Sequence, residues 1–284
     1  MGERILILAP LRGVTIRLFR AVFSRQISAS GFTEAFTPFI TANAGFNPLK
    51  DRELKGATCE NGIRLTPQFI GKDPVAFAEC LKKIKDAGYE SADLNCGCPY
   101  PMVRNKGRGS GLLRNPSLLE KMIETGCSIL GEKRFSIKTR LGVERTDELL
   151  RFVPMFNRYP LRFVTVHART AVQMYDGECD QGALAEIIAA SLNQIIPNGD
   201  IPLNAAPDKA MIGRAFIRSL AHCPDIRDLL AQYMEQSRHE VCGECHVLGR
   251  MKELLAYWKN DAKWRERWKS IKISRSTDEL KMSL

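Results

Sequence analysis

The chain has 284 residues, of which 44% are hydrophobic and 26% charged, an ordinary balance for a globular protein with ample core. Its net charge of +10 favours a polyanionic partner, although a solvated basic surface would give the same balance. The apolar run 5–9 before Pro10 is too short for an export signal or membrane span, and Leu6 stands where a myristoylation motif needs Ser or Thr. A cytoplasmic, non-membrane protein with nine reduced cysteines is therefore expected.

Residues 5–10 predict a buried first strand, followed by a turn and a helix to about Phe23 with Thr15 as its N-cap. Residues 34–40 predict a second strand, and 41–61 a long polar loop on the substrate side. Residues 65–70 form a third strand carrying Gln68, and 74–87 an amphipathic helix. A fourth strand at 91–95 and a helix at 116–130 follow, then a fifth strand at 135–140 whose Lys138 and Arg140 share a face. The pattern continues with a helix at 147–156, a strand at 163–167 ending on His167, a helix at 183–192, and strands at 194–198 and 209–213.

Alternating buried strands and amphipathic helices predict an α/β fold with a parallel sheet. The polar candidates Gln68, Cys98, Lys138, His167, Asn198 and Arg214 all fall at strand C-termini. A (β/α)8 TIM barrel gathers such ends on one face, whereas a doubly wound sheet would call for a G-x-G-x-x-G after the first strand, which is absent. Met211 follows Ile201 by only ten positions, too few for a normal crossover helix, so helix seven is expected to be truncated and the barrel locally open. Residues 1–223 are thus expected to form the barrel and 224–284 an all-helical domain. The last 35 residues, 250–284, carry ten Lys/Arg against five Asp/Glu, and all three tryptophans (Trp258, Trp264, Trp268) lie beyond residue 224.

The most informative stretch is 91–114, SADLNCGCPYPMVRNKGRGSGLLR. Pro99 ends strand pairing and biases Cys98 towards extended backbone, so its thiol should project from a strand end, while Cys96 faces the other way and packs. Arg104, Lys106, Arg108 and Arg114, interleaved with Gly107, Gly109 and Gly111, call for an anionic ligand approached closely by backbone. The pattern L-N-x-G-C-P followed by K-G-x-G-x-x-L-L resembles the active-site segment of the tRNA-dihydrouridine synthases. These are FMN enzymes that use NADPH to reduce a uracil ring in tRNA.

The resemblance implies that Cys98 is the general acid protonating C5 of the uracil, and a thiol of ordinary pKa is protonated at neutral pH, as that role requires. LAPLRGVTIRLFR resembles the family's first flavin-contacting loop, implicating Pro10 and Leu11, the latter where Met is usual. By resemblance, Lys138 (K-x-R-L-G) and His167 (V-H-x-R-T) contact the FMN ring and phosphate region, and Gln68 the ring edge. Asn198-Gly199-Asp200 and Gly213-Arg214 resemble paired phosphate-binding loops, although Ala215 stands where the family has Gly. Asn95, Arg169 and Tyr175 are the candidates for holding the uracil, and HVLGRMKELLAYW (246–258) resembles the start of the family's tRNA-gripping helical domain. Read without the resemblance, His167 is as readily a core histidine, Arg140 a structural ion-pair partner, and Trp264 and Trp268 the glue of a helical subdomain.

The expected partner is tRNA, with no stable protein partner, so a monomer is expected. Two other functions fit the sequence: a non-catalytic RNA-binding protein derived from such an enzyme, favoured by the short 201–211 segment and Ala215, and a small-molecule FMN reductase, which leaves the basic tail without a purpose. Cys242-Gly243-Glu244-Cys245-His246 has C-x-x-C-H spacing, but one such pair lacks the further ligands of a zinc site, and no metal is expected.

Overall fold

The computed structural model describes residues 4–55 and 62–284. Gly2 and the 56–61 end of the predicted polar loop lie outside them. Ten parallel strand segments form one sheet: β1 (Ile5–Leu8), β2 (Glu34–Phe36), β3 (Ile40–Thr41), β4 (Arg64–Thr66), β5 (Gln68–Ile70), β6 (Ala92–Cys96), β7 (Phe135–Gly142), β8 (Val164–Thr170), β9 (Ile195–Asn198) and β10 (Lys209–Ile212). Their order is β3-β5-β6-β7-β8-β9-β10-β1-β2-β4. Because β2 and β3 are one stretch of chain, and β4 and β5 another, the two ends of this order join. The sheet is a closed barrel of eight strands, two of them interrupted. Proline explains one break, since Pro67 between β4 and β5 has no N–H to give the ladder. Across this gap the Gln68 amide instead donates to the Thr37 hydroxyl at 2.9 Å.

The helices are α1 (Arg17–Val22), α2 (Ser24–Ala29), α3 (Pro74–Asp86), α4 (Pro101–Arg104), α5 (Pro116–Leu130), α6 (Val153–Phe156), α7 (Gln181–Ala190), α8 (Arg214–Ser219), α9 (Ile226–Glu240), α10 (Glu244–Leu255), α11 (Arg265–Ile273) and α12 (Thr277–Ser283). The long barrel helices start where capping chemistry dictates. Asp73 accepts from the Val75 and Ala76 amides ahead of α3, and Asn115 from Leu118 ahead of α5, each with Pro at the first turn.

Three local expectations need correction. Thr15 is not an N-cap: its hydroxyl accepts from the Leu11 amide at 2.7 Å and donates to the Ala9 carbonyl at 3.1 Å, holding the loop after β1, and α1 begins at Arg17, whose amide donates to Glu53. The helix expected at 147–156 is a 3-10 turn, Leu149–Phe152, running into the single turn of α6, which has Pro154 in its first turn. At the C-terminus α12 was not anticipated; Ser276 caps it by accepting from the Glu279 amide. The truncated crossover is present as expected, since only the 3-10 turn Leu203–Ala205 lies between β9 and β10.

Apolar side chains form three clusters. Inside the barrel, Ile7, Ala9, Phe36, Phe163, Ile196 and Met211 fill the side towards β1 and β10. Outside, one cluster joins Phe69, Leu94, Ile137 and Val166 to α3, α5, α6 and α7. The other joins Leu6, Leu8 and Ile212 to α1, α8, α9 and α10. The C-terminal helices therefore bury their apolar faces on the barrel wall. Trp258 and Trp264 are the anchors: both are buried, their rings lie 4.7 Å apart, and their indole N–H groups donate to the Ile217 and Ala221 carbonyls at 2.7 and 3.0 Å. Among the described residues no helix is long and apolar enough to cross a membrane.

Candidate active site

A cavity of about 790 Å³ opens at the C-terminal ends of the strands, a size that suits a cofactor with a substrate group beside it. Its walls include Ala9, Pro10 and Leu11 after β1, Asn95 from β6 with Gly97 and Cys98 just after it, Lys138 and Arg140 from β7, and His167 from β8. Tyr175, the Asn198–Asp200 turn, Gly213, Arg214 and Ala215 complete the barrel side. Most of the predicted site residues thus converge in one place.

Cys98 is held by its own loop. Its amide and that of Gly97 donate to Asn95 Oδ1 at 2.8 and 3.1 Å, and its carbonyl accepts from the Ser110 amide and hydroxyl at 3.1 and 2.9 Å. Gly109 can only be glycine here: its φ is +56°, and a Cβ would stand 2.8 Å from the Cys98 Cβ. Burial pushes the Cys98 thiol up, although Arg140, Arg12 and Lys138 pull the other way, so the sulfur keeps its proton at neutral pH. Cys96 is fully buried in the outer cluster, on the opposite face.

The cations are arranged in tiers. Lys138 Nζ donates to Asn198 Oδ1 at 2.8 Å, and Asn198 in turn donates to the Met211 carbonyl at 2.8 Å. Burial, reinforced by Arg140, brings the Lys138 ammonium down to about 7. Arg140 Nε donates to the Gly97 carbonyl at 2.9 Å, and its Nη1 to the Thr170 and Met174 carbonyls at 2.9 and 2.6 Å. Arg140 and Arg214 both lie against the Tyr175 ring, at 5.4 and 5.0 Å.

Burial, and then the surrounding Arg140, Lys138, Arg169 and Arg214, drive the His167 imidazole far below its ordinary range. The ring is neutral. Arg169 Nη1 lies 3.3 Å from His167 Nε2, and because a guanidinium can only donate, the imidazole proton sits on Nδ1. Gly199, with φ +109°, lets the β9 loop pack on this ring; a Cβ there would stand 2.6 Å from His167 Cδ2.

Two predicted residues, Arg169 and Gln68, lie outside the cavity lining, and Asp200 lines it with an unexpected set of partners. Arg169 is 2% exposed and does not line the cavity. Its guanidinium donates to the Gly177 carbonyl and to Cys179 Sγ and pairs with Asp200, so it is engaged by the loops behind the cavity wall. Asp200 lines the cavity but is an acid among arginines: it pairs with Arg169 and, at 2.6 Å, with Arg214. Burial alone would raise its carboxyl, but the Arg169 hydrogen bond and the Arg214 charge hold it low. Gln68 is fully buried beneath the cavity, its amide bonded to Asp93 and Asn95.

Sequence reasoning missed Arg12, Tyr100 and Arg218, and from α10 and the turn beyond it Glu253 and Tyr257, which also line the cavity. Arg12 stacks on Phe39 at 5.6 Å. Arg140 carried a legible signal, its alternation with Lys138; Glu253 and Tyr257 carried none, because only the docking of α10 against the barrel brings them there. The C-x-x-C-H side chains sit apart from this site, with Cys242 and Cys245 exposed and His246 Nδ1 bonded to the Cys242 carbonyl at 2.6 Å. Among the described residues no three His, Cys, Asp or Glu side chains are grouped to hold a metal.

The dihydrouridine synthase (Dus) family profile matches residues 7–215, which is most of the chain. The chain belongs to the dihydrouridine synthase family. It is 30% identical over 207 residues to tRNA-dihydrouridine synthase B of Vibrio cholerae, covering 72% of this chain and 62% of that protein. Its match to tRNA-dihydrouridine synthase B of Proteus vulgaris is also 30% identical, over 242 residues, covering 79% of this chain and 73% of the relative. The chain therefore spans about three-fifths to three-quarters of the length of these Dus relatives. Among solved structures, morphinone reductase superposes with a TM-score of 0.55 at 11% identity, covering 75% of this chain and 83% of that one. An old yellow enzyme homologue from Zymomonas mobilis gives 0.54 at 12% identity, covering 76% and 85%. At such identities the likeness concerns the barrel fold alone.

Proposed function

We propose that this chain reduces the C5=C6 bond of uridines in tRNA to 5,6-dihydrouridine, with FMN as cofactor, NADPH as reductant and Cys98 as general acid. The observation that carries this reading is the convergence of a protonated, cavity-lining thiol with Lys138, His167 and Arg214 at the strand ends of a dihydrouridine synthase barrel. The cavity fits a flavin mononucleotide in size and charge. Arg214, Arg218, Lys138 and the Nδ1–H of His167 offer cations and donors, while only Asp200 and Glu253 among its lining side chains are acidic. When bound, the flavin supplies hydride, drawn from NADPH, to C6.

The chain's own residues do the rest. Pro10, Leu11, Lys138 and Asn198 would hold the cofactor ring, and His167, Gly199, Gly213 and Arg214 its phosphate, with Asp200 aiming Arg214. Ala215 narrows that end by one methyl relative to the family's Gly. Cys98 holds the proton that C5 needs, on a sulfur whose burial keeps it from ionising. Asn95 and Tyr175 orient the base. Residues 1–223 form the catalytic barrel, and the basic helical part, 224–284, grips tRNA through phosphate contacts. Incubating purified protein with NADPH and unmodified tRNA should give dihydrouridine by mass spectrometry and a flavin absorption spectrum. Colourless protein that shifts tRNA but cannot be loaded with FMN would refute it in favour of non-catalytic RNA binding.

A further inference from the structure

One buried hydrogen-bond chain below the cavity belongs to no step above. It begins where there is no freedom: the Gly97 and Cys98 backbone amides can only donate, and both donate to Asn95 Oδ1. The Asn95 NH₂ group must then face the other way, and it donates to Gln68 Oε1 at 2.8 Å. That fixes the second amide, whose Nε2 donates to Asp93 Oδ2 at 2.8 Å. The remaining Asp93 oxygen accepts from the Ser136 hydroxyl at 2.7 Å. The members sit side by side on neighbouring strands, with Gln68 paired to Asp93 and Asp93 to Ser136 in the sheet register. Gln68 and Asp93 are fully buried, so no solvent can replace a lost partner.

We infer that Asp93 is a positioning residue: by accepting at the floor of the barrel it fixes the Gln68 and Asn95 amides and, through them, the Gly97–Cys98 turn. The inference rests on the reading of Cys98 as proton donor. Only an acceptor at position 93 is compatible with an amide chain whose far end is set by backbone N–H groups. The chain also commits Asn95 Oδ1 twice and one of its N–H bonds once. One Asn95 N–H then remains uncommitted among the described residues, on a side chain that lines the cavity, and it suits a carbonyl oxygen of a bound base. Asp93 has a rival role as counter-charge to Lys138, two residues beyond Ser136 on β7. The two roles respond differently to substitution. Asp93→Asn removes the charge but keeps an oxygen for Gln68 and offers an N–H to the Ser136 hydroxyl. Asp93→Leu keeps the volume and removes the acceptor. Gln68→Met cuts the chain without touching any charge.

The test uses flavin-loaded, full-length Asp93→Asn, Asp93→Leu, Gln68→Met and the Leu/Met double variant. Two readouts are taken: kcat for dihydrouridine formation, and the rate at which iodoacetamide alkylates Cys98, followed on its own peptide by mass spectrometry. Asp93→Asn is expected to stay within about threefold of the unsubstituted protein in both, because the acceptor survives. Asp93→Leu and Gln68→Met should each lower kcat by roughly 10- to 100-fold with the flavin spectrum retained, since a displaced acid costs that much. The double variant should be no worse than the worse single one, as expected for links of one chain. Should Asp93→Leu fail to fold, Gln68→Met with Asp93→Asn still decides the matter. Asparagine as damaging as leucine, Gln68→Met indistinguishable from the unsubstituted protein, or additive losses in the double variant would each overturn the inference. If the unsubstituted protein makes no dihydrouridine, the functional reading fails, and the alkylation rates still test the positioning by themselves.

Discussion

Arg140 Nε donates to the Gly97 carbonyl at 2.9 Å, so the strand that carries Lys138 also holds the turn that carries Cys98. The same guanidinium reaches the Thr170 and Met174 carbonyls and lies against Tyr175. One side chain thereby ties the Cys98 loop, the strand of Lys138 and the loop after β8 into a single wall. Arg140→Lys keeps a charge but cannot make three planar contacts, and should lower kcat by about tenfold or more, with flavin retained. Equal turnover by that variant in a steady-state assay would show that the wall is not held this way.

Lys138 is predicted to link cofactor binding to pH. Its ammonium is brought to about 7 by burial and by Arg140, so it is largely neutral at pH 8 before an anion arrives. An anionic ligand raises that pKa, and binding at pH 8 must therefore take up a proton, whereas binding at pH 6 need not. FMN affinity is expected to fall as pH rises through 7. Titration calorimetry in buffers of different ionisation enthalpy measures the uptake directly, and a value of zero at pH 8 contradicts the assignment.

Asp200 is predicted to act through Arg214. Asp200→Asn keeps the shape of the turn but loses both ion pairs, so Arg214 loses its carboxylate partner while Arg169 stays held by Gly177 and Cys179. FMN should bind roughly tenfold more weakly, about 1.4 kcal/mol, with little change in kcat once the protein is saturated. Tighter FMN binding by this variant would instead mean that Asp200 repels the phosphate.

Trp258 is predicted to hold the C-terminal helices on the barrel. It is 1% exposed and its N–H is bonded to Ile217, so Trp258→Ala should cost about 3–5 kcal/mol of stability. Because Glu253 and Tyr257 line the cavity just before it, the change should weaken FMN binding as well. Thermal denaturation with and without FMN separates the two effects.

The sequence made the barrel legible because its strands are buried on both faces and read as short apolar runs, and because Asp73 and Asn115 mark the helix starts. The short 201–208 link was countable, and the truncated crossover followed from it. Cys98, Lys138, His167 and Asn198 were legible as polar groups at strand ends. What was not legible depends on distance in the chain. Arg169 lies two residues past His167 and looked equally available, but its acceptors Gly177 and Asp200 close round it only in the folded loops. Thr15 looked like a helix cap because nothing local shows that its hydroxyl is taken by Leu11 and Ala9. Gln68 sits one layer too deep to line the cavity: it pairs with Asp93, two residues before the cavity-lining Asn95, an offset along the strand that propensity does not resolve.

The central claim is that the Cys98 sulfur delivers a proton to a base that the flavin reduces, and it is most directly tested by Cys98→Ala in single turnover. The variant should bind FMN, accept electrons from NADPH at the unsubstituted rate and bind tRNA. Its dihydrouridine formation should fall by roughly 10²- to 10⁴-fold, the usual worth of a general acid. Dihydrouridine formed by Cys98→Ala at the unsubstituted rate would contradict the account.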